Sequence, residues 1–148
     1  MKLVVLMGRI LFASIFLMTA RTHFSGQAVA YASAAGVPDA AWLVPISGVI
    51  AILGGLSIIL GYKAKIGAIL ILIFLIPVTY YMHAFWKQTD PMQMQMQMGN
   101  FIKNLSLMGT ALLIVYFGSG PWSLDAKRPP KITVKGFISE TMVVHKHH

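Results

Sequence analysis

The sequence contains no cysteine. Dithiol–disulfide exchange requires a pair of thiols, so this chain cannot pass electrons through thiols of its own. Iron–sulfur clusters held by cysteine thiolates are excluded with it. Charge is scarce as well: 11% of the 148 residues are charged, against about 25% in a typical soluble domain, and acidic residues number 4. The polar side chains that would cover a water-soluble globule are missing.

Apolar residues take their place, at 57% of the chain. They fall in four runs, Leu3 to Ala20, Ala41 to Tyr62, Ile66 to Trp86 and Phe101 to Gly118. A bilayer core of about 30 Å is crossed by a helix of roughly 20 residues, which is the length of each run. Lipid offers no partner to backbone N–H and C=O groups, and four strands cannot close a barrel, so the spans are helices. The predicted fold is an all-α integral membrane four-helix bundle. The first run is longer than a secretory h-region and carries Arg9 inside it, so it reads as a retained span.

Basic residues set the orientation. In a four-span chain Lys2, Lys63, Lys65, Lys127, Arg128, Lys131, Lys135 and Lys146 share one side, while Arg21, Lys87 and Lys103 lie on the other. The positive-inside rule places the richer side, with both chain ends, in the cytoplasm. The net charge of +8 then follows from topology and anionic inner-leaflet lipid, with no nucleic-acid partner required. The expected organisation is a membrane domain over 1–125 and a basic cytoplasmic tail over 126–148. A multi-pass protein of a bacterial inner membrane is the corresponding location.

Between the first two spans, Ser25 is a candidate N-cap and Gly36, followed by Pro38, a helix stop, which predicts a short interfacial helix. Span two carries Ser47, Ala51 and Gly55 every fourth residue, a face that lets another helix approach closely, in the same bundle or in a second copy of the chain. Pro77 removes one hydrogen bond from span three and is expected to bend it.

Arg9 lies about 9 Å of helix rise inside span one. A charge at that depth needs a partner or must snorkel, and Asp125, just beyond span four, is the nearest acid by topology. The expectation is a structural ion pair of Arg9 with Asp125; a proton or substrate path is the alternative. At the outer boundary, helical spacing groups Thr79, Tyr80, His83, Trp86 and Lys87 on one face of span three. Arg21 and His23 end span one on that side, and Asn100, Lys103 and Asn104 begin span four. Such a cluster can hydrogen-bond the carbonyls of a quinone or the head of an anionic substrate, with His83 able to give and take a proton. An aromatic belt with His and Lys reaching to water is the structural alternative.

The run Met92, Met94, Met96, Met98 alternates with Gln. Four thioethers suit Cu(I), and methionine is equally an adaptable apolar residue that extends a span or lines a partner surface. The terminal His145, His147 and His148 receive no function.

The sequence resembles the DoxX family of small four-helix membrane proteins. The likeness runs from Gly8-Arg9 through His23-Phe24, Gly36-Val37-Pro38, Val44-Pro45, Gly54-Gly55 and Gly61 to His83-Ala84-Phe85-Trp86. It continues over Met98 to Asn104, Gly109 and Ser123-Leu124-Asp125. Ala20 stands where glycine is expected, and the tail after Arg128 is extended. The resemblance implies a redox-associated membrane protein, linked to oxidoreductase complexes through a relative of the small subunit of a thiosulfate:quinone oxidoreductase. His83 would then act on a quinone lined by Arg21, His23, Tyr80, Trp86, Lys103 and Asn104, with electrons from a substrate or a partner subunit. A non-catalytic scaffold for oxidoreductase partners, or a small transporter, is the alternative.

Overall fold

A computed structural model describes residues 1–127. The tail from Arg128, with its terminal histidines, lies outside them. Among the described residues there are five α-helices: α1 over Lys2–Ala20, α2 over Gly26–Ala34, α3 over Ala40–Leu60, α4 over Ala64–Met82 and α5 over Pro91–Phe117. Four of them, α1, α3, α4 and α5, are long and apolar enough to cross a membrane. A 3-10 turn over Arg21–Phe24 joins α1 to α2, and another over Phe85–Lys87 follows α4.

Local chemistry sets most boundaries. The Ser25 hydroxyl accepts from the Ala28 N–H at 3.2 Å and starts α2. Gly36 at φ 89° ends it, with the Val37 N–H returning to the Ala32 carbonyl at 3.0 Å. Helix α3 closes at Gly61 with φ 62°, and the Tyr62 N–H reaches back to Ser57 O at 3.0 Å. Asp90 accepts from the Gln93 N–H at 2.8 Å ahead of Pro91, so α5 begins ten residues before the expected Phe101. The Met/Gln run is therefore helical. At 27 residues α5 is about 40 Å long, more than a bilayer core of about 30 Å requires.

The spanning helices pack in series, α1 on α3, α3 on α4 and α4 on α5. Glycines set the closest approach. A Cβ on Gly54 would meet the Gly67 carbonyl at 3.0 Å, and one on Gly67 would meet the Gly54 carbonyl at 3.0 Å, so α3 and α4 touch backbone to backbone. On the other side of α3, Gly55 faces α1 and Gly48 faces the 3-10 turn after it: a Cβ there would meet Leu17 Cδ2 at 2.9 Å and His23 Cβ at 2.8 Å. Ile58, Ile71 and Leu75 fill the centre. The Phe12, Phe16 and Phe74 rings pack edge to face, with centroids 5.3 and 6.1 Å apart. Helix α2 lies across one end of the bundle, where Ala32 packs with Ala40, Val44 and Met82. The opposite end carries the Lys63 turn and the segment after α5.

Candidate functional site

Most of the polar side chains in question gather at the α2 end. Helix α4 stops at Met82, and His83 leaves helical geometry at φ −121°, ψ 36°. Thr79, Tyr80, His83, Trp86 and Lys87 therefore do not share one helical face as the spacing suggested. Thr79 turns inward at 3% exposure, and Tyr80 turns outward at 58%.

The half-buried His83 ring is held by α5. Its Nδ1 lies 2.8 Å from Gln97 Oε1, and Gln97 Nε2 donates to the Tyr31 hydroxyl at 3.4 Å. A carboxamide oxygen only accepts, so Nδ1 carries the proton and donates. In the neutral ring Nε2 then holds the lone pair, with no hydrogen-bond partner among the described residues. Gln97 is buried, so the bond is sheltered from water. This orients His83 from two sides, since Gln97 comes from α5 and Tyr31 from α2.

One turn deeper along α4, the Asn104 amide donates to Thr79 Oγ1 at 3.1 Å, and the Thr79 hydroxyl donates to the Leu75 carbonyl at 2.6 Å. Both side chains are buried, and the pair satisfies polar groups in the bundle interior. His23 belongs to a separate contact: its Nδ1 is 2.9 Å from Ser47 Oγ, whose own proton goes to the Val44 carbonyl at 2.6 Å. The Ser47 oxygen must then accept, so His23 also carries its proton on Nδ1. The ring packs on Phe74 at 5.4 Å.

The aromatic residues form a group of their own. Trp86 meets Tyr80 at 6.1 Å, Phe85 at 5.2 Å and Phe101 at 5.9 Å between ring centroids. Tyr80 and Trp86 are exposed on the helix exterior, where an aromatic belt would lie. Lys103 is exposed and donates to Asn100 Oδ1 at 3.1 Å, and Arg21 is exposed at the end of α1. The expected cluster thus resolves into the His83–Gln97–Tyr31 chain, the Asn104–Thr79 pair, the His23–Ser47 pair, an aromatic group and a Lys103–Asn100 contact. Gln97, Tyr31 and Ser47 were missed as partners. A signal for Gln97 was present, because Gln97, Asn104 and Ala111, the buried residues of α5, recur every seventh position.

The exposed methionines are distributed by helix geometry. Alternate residues on an α-helix are about 200° apart, so Met92 and Met96 share one face and Met94 and Met98 another. Four thioethers do not converge along this stretch. Among the described residues, no three His, Cys, Asp or Glu side chains are grouped to hold a metal ion.

At the other end Arg9 is 4% exposed and donates from Nη2 to the Trp122 carbonyl at 2.5 Å. Its guanidinium lies against Gly61, where a side chain would collide with Nη1. Asp125 also bonds to backbone. Its two oxygens accept the Lys63 N–H at 2.9 Å and the Ala64 N–H at 3.3 Å, capping the first turn of α4. Backbone bonds from Leu124 to Leu60 O at 3.1 Å and from Asp125 to Gly61 O at 2.9 Å hold the same segment against the α3–α4 turn. Arg9 and Asp125 are thereby brought to one short loop by separate contacts.

The sequence profile of the DoxX family matches residues 4–84, more than half of the chain. The match takes in Arg9, Arg21, His23, Tyr80 and His83 and ends before Gln97 and Asn104. No curated protein and no solved structure matches the chain.

Proposed function

The chain belongs to the DoxX family, and from that premise we propose that it is a quinone-interacting subunit of an oxidoreductase assembly in a bacterial inner membrane, with its site at the periplasmic-side boundary where α2 lies. The observation that carries this is the His83–Gln97 bond, which leaves His83 Nε2 free to exchange a proton. A quinone would supply the carrier of electrons and protons that a cysteine-free chain lacks. The residues present suit such a flat, carbonyl-bearing ring: an oriented imidazole, with Phe85 and Trp86 shortly after it in the chain and their rings packed with Tyr80 and Phe101. As electrons arrive, an imidazolium His83 would give its Nε2 proton to a bound carbonyl oxygen, and the neutral ring would take another from water. Gln97 and Tyr31 keep the ring in register. Lys103 and Arg21 bring positive charge to the same end, which would attract an anionic electron donor. Electrons come from that donor or from a partner subunit.

Purified protein with Trp42 and Trp122 changed to Phe, titrated with a short-chain ubiquinone, should show saturable quenching of Trp86 fluorescence. His83→Phe should weaken binding about tenfold, the loss of one good hydrogen bond, with His23→Phe much milder. No quenching, together with no quinone in gently purified protein, would sink the proposal.

A non-catalytic scaffold is the second proposal, and α5 favours it. This is the least apolar of the four spanning helices, yet 11% of its apolar stretch is buried, against 28 to 33% in the others. Its exposed Gln and Met side chains suit contact with protein. Co-purifying subunits without quinone binding would select this alternative.

A further inference from the structure

The Lys63 end holds a feature that neither proposal uses. A cavity of about 410 Å³ opens there between the starts and ends of two spanning helices, lined by Lys63, Lys65, Ile66, Phe117, Ser119 and Asp125. Its walls differ in chemistry. Ile66 and Phe117 are apolar, belong to α4 and α5, and are 54% and 73% exposed. The other wall carries two lysines and the Gly118 and Gly120 backbone.

Lys65 is fixed in place. Its Nζ donates to the Tyr116 carbonyl at 3.0 Å in the last turn of α5, and its stem passes over Gly118, where a Cβ would come within 3.3 Å of Lys65 Cε. One N–H of the ammonium is used in this way and two remain. Lys63 Nζ stands 5.7 Å from the centroid of the Tyr62 ring. The one acid in the lining, Asp125, is bound to the Lys63 and Ala64 N–H groups, which draws its charge onto the first turn of α4.

We propose that this cavity binds an anionic membrane phospholipid, with the Lys63 and Lys65 ammonium groups on the phosphate and the glycerol and first acyl carbons against Ile66 and Phe117. Ammonium groups recognise phosphate as compact point charges. The apolar wall extends that recognition to the rest of the lipid, because it continues directly into the lipid-facing surfaces of α4 and α5. General attraction of a basic surface to a membrane needs no such pair of walls.

The test is native mass spectrometry of the full chain with phosphatidylglycerol or phosphatidylcholine of identical acyl chains, alongside thermal shifts in detergent. One phosphatidylglycerol should be retained well above phosphatidylcholine. Lys63→Gln and Lys65→Gln should each lower its retention about fivefold, while Lys65→Arg preserves it and Lys2→Gln, a change of a basic residue outside the cavity, leaves it intact. Phe117→Ser should weaken lipid retention and leave any shift from inorganic phosphate unchanged. Equal retention of phosphatidylcholine overturns the proposal, as does a Lys2→Gln effect as large as that of Lys65→Gln. A loss in Lys65→Arg equal to that in Lys65→Gln overturns it too, since the Tyr116 contact and not the charge would then be responsible. If inorganic phosphate stabilises as much as lipid and Phe117→Ser changes neither, the ligand is free phosphate and the lipid assignment falls.

Discussion

Single residues carry their effects here through what they leave unpaired. Arg9 is buried, donates to one carbonyl, and has Nε and Nη1 without a hydrogen-bond partner among the described residues. Asp125 is three residues beyond that carbonyl, on the same short loop. We propose that the two charges still support one another, through the loop that Arg9 grips at Trp122 and Asp125 pins to α4. Removing one member of a buried charge pair costs about 3 to 5 kcal/mol, and less where water reaches it. Arg9→Ala should therefore lower the melting temperature in detergent more than Arg21→Ala, which changes an exposed side chain. Asp125→Ala should approach the Arg9 effect, and the double variant should be less damaged than the sum of the two by about 0.5 to 3 kcal/mol. Strict additivity in that cycle would show that the two residues act independently. Sequence placed both at one end because topology does so. It could not show that their hydrogen bonds go to backbone, since Trp122 O and the Lys63 and Ala64 N–H groups have no residue-type signature.

Whole helices were legible where apolar composition is continuous and poorly legible where it is mixed. Spans one to three appear within a few residues of their expected limits, because a lipid-facing helix must be apolar along its length. The interfacial helix α2 was legible from its serine cap and glycine stop. For the start of α5 the sequence offers extension through the Met/Gln run only as one alternative, because the alternation lowers the local hydropathy and suggests a period of two. Yet Asp90-Pro91 is a helix-start signal in its own right, acid at the N-cap and proline at the first turn. At the end of α4 no glycine or proline marks the stop after Met82, so the run read on through Trp86. The early stop puts His83 at a helix end and not on a helix face, and changes its partner. The α5 assignment has a direct check. Asp90→Ala removes the acceptor of the Gln93 N–H and should destabilise the first turns of α5 by about 1 kcal/mol. Hydrogen exchange at Gln93 to Met98 should rise while exchange beyond Asn104 stays unchanged. If the Met/Gln stretch already exchanges freely in the native protein, it is not helical and the hold of Gln97 on His83 is lost with it.

At the scale of the whole molecule the open question is which end faces which compartment, since four spanning helices are compatible with either insertion. Folding has sorted the charges. Lys2 begins α1, Lys63 and Lys65 flank the start of α4 and Lys127 follows α5, so these lysines share one end. Arg21 ends α1, Lys87 follows α4 and Lys103 lies in the α2-end half of α5, so the basic residues there are fewer. The Lys63 turn is also short, and short loops are where basic residues govern insertion most strongly. Reporter fusions at Lys63 and at residue 148 should therefore be active as cytoplasmic fusions, and fusions between Met92 and Met98 as external ones. Changing Lys63 and Lys65 together to Gln should weaken the bias and give a measurable inverted fraction, whereas changing Lys103 should strengthen it or leave it unchanged. An external residue 148 would invert the molecule. His83 and Trp86 would then face the cytoplasm, the Lys63 cavity would meet the outer leaflet, and the anionic donor drawn by Arg21 and Lys103 would have to be a cytoplasmic one.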